Sequence, residues 1–158
     1  MTARWKPVAW AAGAAFLVAM IGGGLTDTGP WYQGLQKPSF QPPDWLFAPA
    51  WTLIFALTAA AGVVSWRAAP RGRARVGLIL AFALNGVLNV LWSLLFFGLR
   101  RPDWALVEVV FLFLSVALLM WLAGRHAPLA RWLLAPYLLW VGFATVLNLA
   151  VVRLNAPF

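Results

Sequence analysis

The sequence predicts an all-α fold, an integral membrane bundle of five transmembrane helices, on three observations. Of its 158 residues 63% are hydrophobic and only 10% charged, outside the range of ordinary water-soluble domains. The apolar residues gather into five stretches of the roughly 20 residues that a helix needs to cross the hydrocarbon core of a bilayer. The breaks between most of these stretches are short and rich in Arg, Pro and Gly, which implies antiparallel neighbours.

The chain reads as a single membrane domain over residues 1–158, with spans over about 7–25, 45–66, 76–98, 104–123 and 129–152. Arg4 and Lys6 precede the first span, and Gly22 to Gly24 lead into a tryptophan-bearing loop instead of a small-residue cleavage site, so that span is expected to be retained. Ala68 to Arg73, Leu99 to Asp103 and Gly124 to Pro128 form the tight turns. The connection over residues 26–44 differs: it is long and holds Trp31, Tyr32, Lys37, Phe40 and four prolines. A loop of that length is usually functional or disordered, and its proline and aromatic content argues for an ordered lid.

The net charge of +8 arises from 12 Lys and Arg against Asp27, Asp44, Asp103 and Glu108. In a soluble protein this balance would suggest nucleic acid, but here the basic residues occupy turns between apolar spans, where they set topology and meet lipid headgroups. No nucleic-acid partner is expected. Eight basic residues fall on the side of the N-terminus and four on the side of the 26–44 loop, which places the N-terminus in the cytoplasm and the loop outside, in the inner membrane of a bacterium. An outer-membrane location is the alternative.

Along the first span Ala11, Ala15, Ala19 and Gly23 recur at four-residue spacing as a small-residue stripe, read as a helix-packing surface. Gly77 and Ala81 begin a similar line in the third span, suited to packing within the bundle or across a dimer. Eleven tryptophans are present. Trp5, Trp10, Trp45, Trp66, Trp104, Trp121 and Trp132 sit near span ends, as interfacial belts do. Trp51, Trp92 and Trp140 lie inside spans, with Phe55 near the first, Asn85, Asn89 and Phe96 near the second, and Tyr137, Ala144 and Asn148 near the third, at helical spacing. Buried amides must pair between helices or meet a ligand. Glu108, near the start of the fourth span, is placed to snorkel or to pair with Arg100 or Arg101. Pro136 is expected to kink the fifth span, and Pro49 to open or start the second.

Missing residues exclude several chemistries. Cysteine is absent and His126 is the only histidine, which leaves no zinc site, no bis-histidine haem site and no serine-histidine triad, so no metal is expected. No lysine lies within a span to form a Schiff base, and no general acid or base is visible for a conventional enzyme.

The run from Trp31 to Trp51, WYQGLQKPSFQPPDWLFAPAW, resembles the signature WYxxLxKPxxxPPxWxFxPxW of the TspO/translocator protein family at every fixed position. Leu88 to Trp92 with Phe96 to Gly98, and Pro136 to Trp140 with Phe143 to Asn148, resemble that family's third-helix and fifth-helix motifs. The resemblance implies a five-helix bundle, usually a homodimer, with a pocket beneath the first loop that accepts protoporphyrin IX as ligand and requires no cofactor. The family's pocket positions carry over onto Tyr32, Pro42, Trp51, Phe55, Asn89, Trp140 and Ala144. Bacterial relatives degrade protoporphyrin in light and oxygen through two pocket tryptophans, by resemblance Trp51 and Trp140. The implied function is therefore a porphyrin-binding sensor or scavenger with possible light-dependent degradation. The alternative is a transporter or regulator of tetrapyrrole or sterol movement. Asn85 stands where many relatives have Gln, and Phe55 where many have Tyr. Leu149 replaces the tyrosine of the animal cholesterol motif, whereas Arg131 to Leu139 matches the reversed motif around Tyr137.

Overall fold

The computed structural model describes residues 2–158. Its elements in chain order are α1 (Thr2–Leu25), the short lid helix α2 (Pro30–Gly34), α3 (Asp44–Ala68), α4 (Arg73–Ser93) continuing into a π-helical turn (Leu94–Gly98), α5 (Pro102–His126) and α6 (Pro128–Asn155). Five of these helices are long and apolar enough to cross a membrane. Each begins before the apolar stretch that marks it in the sequence, and α3, α5 and α6 also end beyond it, because the helix continues into polar turns where the interface can solvate its terminal carbonyls and amides.

Prolines set the starts of α2, α5 and α6, where the missing amide is one that no helical carbonyl would have bonded. Pro49 does not start its helix, since α3 begins at Asp44 and runs through it, and α6 is likewise continuous through Pro136. At the end of α4 the ladder widens: Leu99 N–H bonds Leu94 O at 2.8 Å and Arg101 N–H bonds Leu95 O at 2.9 Å. The chain then turns at Arg100, whose φ of 54° is left-handed.

Helix α5 lies at the centre, packed against α3, α4 and α6. Its residues Ala105, Val109, Leu112, Val116, Leu119 and Ala123 recur every three or four positions and are all but fully buried. All but Ala105 meet Leu78 and Ala81 of α4 and Ala130, Leu134, Tyr137 and Val141 of α6 in the main core, while Ala105 packs with Tyr32, Phe96 and Val151 nearer the lid. Helix α1 is peripheral, touching mainly α3 and α4. Its outer face, with Trp10, Leu17, Met20 and Ile21, is exposed for lipid.

The tryptophans near span ends separate as their sequence positions suggest. Trp5, Trp10, Trp45, Trp104, Trp121 and Trp132 are exposed, and Trp66 is half-buried under the Arg75 guanidinium at 4.8 Å. Arginines cover the belt elsewhere too: Arg101 stands 4.2 Å over Trp104 and Arg125 stands 4.7 Å over Trp121. Glu108 departs from expectation. Arg101 pairs instead with Asp103, Arg100 lies over Trp31, and Glu108 is buried with neither carboxyl oxygen meeting a partner among the described residues. The reason is directional: residue 108 falls on the inward stripe of α5, between Ala105 and Leu112, and cannot reach back to the turn.

An unpartnered buried carboxyl costs stability that an apolar group would not. Glu108→Leu should therefore raise stability by about 1–3 kcal/mol, seen as a higher midpoint of thermal unfolding in detergent; a lower midpoint would show that the carboxyl meets a partner.

Candidate functional site: a lidded aromatic cavity

One end of the bundle carries the α1–α3 connection, the α4–α5 turn and the end of α6. Beneath the connection lies a cavity of about 850 Å³, bounded by α1, the lid, α3, the end of α4, and inward faces of α5 and α6. This volume is within the range of small-molecule sites. Its wall on α1 consists mostly of small residues, Ala12, Ala15, Ala19, Gly22 and Gly23, with Phe16 and Val18 as the larger members. Three members of the sequence stripe, Ala15, Ala19 and Gly23, thus face space and not a packed neighbour, and a Cβ added at Gly23 would meet nothing within 4 Å. The stripe is a cavity wall more than a packing seam. Gly77 of α4 is likewise open, whereas Ala81 is buried in the core.

The opposite walls are aromatic. Trp51 and Trp140 meet edge to face with centroids 6.4 Å apart. Trp51 stacks on Phe55 at 5.4 Å and meets the Tyr137 ring edge-on at 6.0 Å, while Phe47 and Phe143 each stand 5.8 Å from Trp140. Neither indole N–H of the Trp51 and Trp140 pair has a hydrogen-bond partner among the described residues, and both residues line the cavity. Trp92 is different: its indole donates to Asn148 Oδ1 at 3.2 Å, and Asn148 Nδ2 donates to the Pro102 carbonyl at 2.9 Å, tying α4, α5 and α6 together near the lid.

The lid is ordered by its own chemistry. Trp31 packs on Phe96 at 6.2 Å, Tyr32 on Phe97 at 5.6 Å and Phe40 on Phe143 at 6.4 Å, seating it on the π-helical turn and α6. The Tyr32 hydroxyl donates to Asp44 Oδ1 and accepts from Gln41 Nε2, both at 3.1 Å. Burial, then the neighbouring Asp44 carboxylate, pushes the Tyr32 phenol up to about 12, so it keeps the donated proton at neutral pH. Lys37 Nζ stands 4.0 Å over the Tyr32 ring and lines the cavity mouth.

The lid is also clasped from the far end of the chain. Asn155 Oδ1 accepts from Gln36 N–H, and Asn155 Nδ2 donates to Gln36 O, both at 2.8 Å. Nδ2 donates as well to Val151 O at 2.8 Å, which fixes the amide on its helix.

Of the residues singled out from the sequence, Tyr32, Trp51, Phe55, Asn89, Trp140 and Ala144 all line this cavity. Pro42 does not: the turn closed by Gln41 N–H to Pro38 O directs Gln41 inward, and the wall there is made by Gln41 and Asp44. Phe47, Phe97 and Ser93 also contribute and were not singled out. The first two belong to the aromatic runs of their helices, but nothing in the sequence distinguishes Ser93 or the clasp residue Asn155.

Fold and site together define a class: a five-helix integral membrane bundle with an aromatic cavity closed by an ordered lid. The TspO/MBR family model matches residues 7–154. The chain is 42% identical over 129 residues to the tryptophan-rich protein TspO of Chlorobaculum tepidum, covering 79% of both chains. It is 35% identical to the tryptophan-rich sensory protein of Cereibacter sphaeroides over 92% of both chains. With the human translocator protein it shares 34% identity over 79% of this chain and 75% of the relative. The chain belongs to the TspO/MBR family.

Asn155→Ala should remove both clasp bonds and raise amide exchange across residues 35–40 by about tenfold, the effect of two exposed hydrogen bonds. Unchanged exchange would mean that the aromatic seats alone hold the lid.

Proposed function

We propose that this protein binds a flat tetrapyrrole of the protoporphyrin IX class in the cavity beneath the lid and serves as a sensor or scavenger of it. The observation that carries this reading is the Trp51 and Trp140 pair, edge to face at 6.4 Å in the wall of a cavity of about 850 Å³ whose mouth holds Lys37. A porphyrin is a broad apolar ring with two carboxylates on one edge. Aromatic walls suit its faces, and an ammonium at the rim suits its carboxylates. The chain lies in the bacterial inner membrane in this proposal, with the lid end outside and the basic turns of Arg67 to Arg75 and Arg125 to Arg131 in the cytoplasm.

The contacts among Tyr137, Trp51 and Trp140 favour a second reading on the same site, light-driven oxidation of the bound ring with molecular oxygen as electron acceptor. Adjacent aromatic rings relay single electrons, and Trp51 and Trp140 are in direct edge-to-face contact in the cavity wall. Names borne by relatives, such as sensory protein and translocator protein, accord with a ligand-responsive membrane protein.

Titrating the purified protein with protoporphyrin IX should quench its tryptophan fluorescence saturably, and Lys37→Gln should weaken binding about fivefold by removing one charge-assisted contact. Absent or unsaturable quenching would reject the reading. Illuminating the same complex separates the two roles: decay of the Soret band that persists in a Trp51→Phe, Trp140→Phe double variant would sink the oxidative one.

A further inference from the structure

Charge is divided unevenly between the two ends of the bundle. All four carboxylates, Asp27, Asp44, Asp103 and Glu108, belong to the lid connection or to the opening turns of α5, at the lid end. Eight of the 12 Lys and Arg lie at the other end, on the start of α1 and on or beside the α3–α4 and α5–α6 turns. That end holds no acid to neutralise them. The ion pair found among the described residues, Arg101 with Asp103, is at the lid end.

Two of these arginines are held in place by the chain itself. Arg67, at the end of α3, donates Nη2 to the carbonyl of Arg4 at 3.0 Å, which ties the start of α1 to it. Arg75, in the first turn of α4, donates Nε to the carbonyl of Ala69 at 3.2 Å and lays its guanidinium 4.8 Å over the Trp66 ring. Each keeps donors to spare: both Nη groups of Arg75, and Nε and Nη1 of Arg67, bond nothing among the described residues. Arg71 and Arg73 stand on the turn between them, exposed and likewise without a described partner.

Depth identifies what these donors meet. Trp66 closes the α3 span, and tryptophans at span ends sit at the level of the lipid headgroups. A guanidinium lying on that ring is at the same level. The anion present there is the phosphodiester of a phospholipid, whose two free oxygens match a guanidinium fork. A zwitterionic headgroup carries a cation beside its phosphate and adds positive charge to an end that already lacks acids, whereas an anionic headgroup adds none. An arginine already held by a ring and a carbonyl also loses little freedom when it binds.

We propose that Arg67 and Arg75, with Arg71 and Arg73 flanking them beside Trp66, form a site that retains one anionic phospholipid by its phosphate. The site lies at the end of the bundle remote from the lid and is independent of what the cavity binds. A headgroup seated there joins the peripheral helix α1 to α3 and α4.

Native mass spectrometry of the full-length protein, released from mixed micelles holding equal amounts of phosphatidylglycerol and phosphatidylcholine, tests the site. The wild type should retain one phosphatidylglycerol with about twentyfold preference, the combined effect of two fixed basic residues at a membrane surface. Arg67→Gln and Arg75→Gln should each lower that preference about fivefold. Arg125→Gln, at the same end but stacked on Trp121 with no bond to the main chain, and Arg153→Gln, at the lid end, should leave it unchanged. Equal retention of the two lipids by the wild type would overturn the proposal. So would equal losses in Arg75→Gln and Arg125→Gln, the mark of a diffuse attraction by the whole end, or displacement of the lipid by millimolar inorganic phosphate, the mark of a site for the free anion. Arg67 is exposed, so the Arg67→Gln result and the wild-type comparison stand even where Arg75→Gln disturbs folding.

Discussion

A polar side chain inside hydrocarbon keeps its place only by pairing, and this bundle is organised around that constraint. A hydrogen-bonded relay from the Leu112 carbonyl through Ser115, Asn85 and Tyr137 to Asn89 joins α4, α5 and α6 at mid-membrane depth. The Trp92, Asn148 and Pro102 bonds join the same three helices nearer the lid. Apolar burial gives helices little preference for one another over lipid tails, so such bonds, with close packing along α5, fix which faces meet. Helices α1 and α3 approach this unit from the side, and the space they leave is the cavity.

The cavity follows from a contrast in side-chain size. Helix α1 offers mainly alanine and glycine on its inner face, whereas α3 offers Phe47, Trp51 and Phe55 and α6 offers Trp140. Large rings facing small residues leave volume that the protein itself does not fill. The lid closes the end of that volume with three aromatic contacts and the Asn155 clasp, and it brings Lys37 to the mouth. One face of the site is thus stiff, built on the hydrogen-bonded unit, while the roof is a separate segment tied at a few points. Exchange of a ligand through the roof would break local contacts only and leave the relay intact.

Much of this was legible in the sequence because each signal had a single physical cause. Five apolar stretches of membrane-spanning length fixed five helices, and depth within a span separated Trp51, Trp92 and Trp140 from the interfacial tryptophans. The signature from Trp31 to Trp51 pointed to the family, which the family model and the relatives establish. What the sequence left open depends on rotation and on partners distant in the chain. Helical spacing grouped Ala15, Ala19 and Gly23 on one face without saying whether that face met a helix or a void. Pro42 and Gln41 are adjacent, and only the turn decides which one points inward. Glu108 lay in sequence reach of two arginines, but the stripe of α5 carried it away from both. Asn155 meets Gln36 across nearly the whole chain, a pairing that no local pattern encodes.

A structure of the protein determined with protoporphyrin IX bound would test the central claim most directly. The account requires the ring to lie under the closed lid, against Trp51 and Trp140, with its carboxylates toward Lys37. A ring seated instead on the lipid-facing surface, with the cavity unfilled, would contradict it.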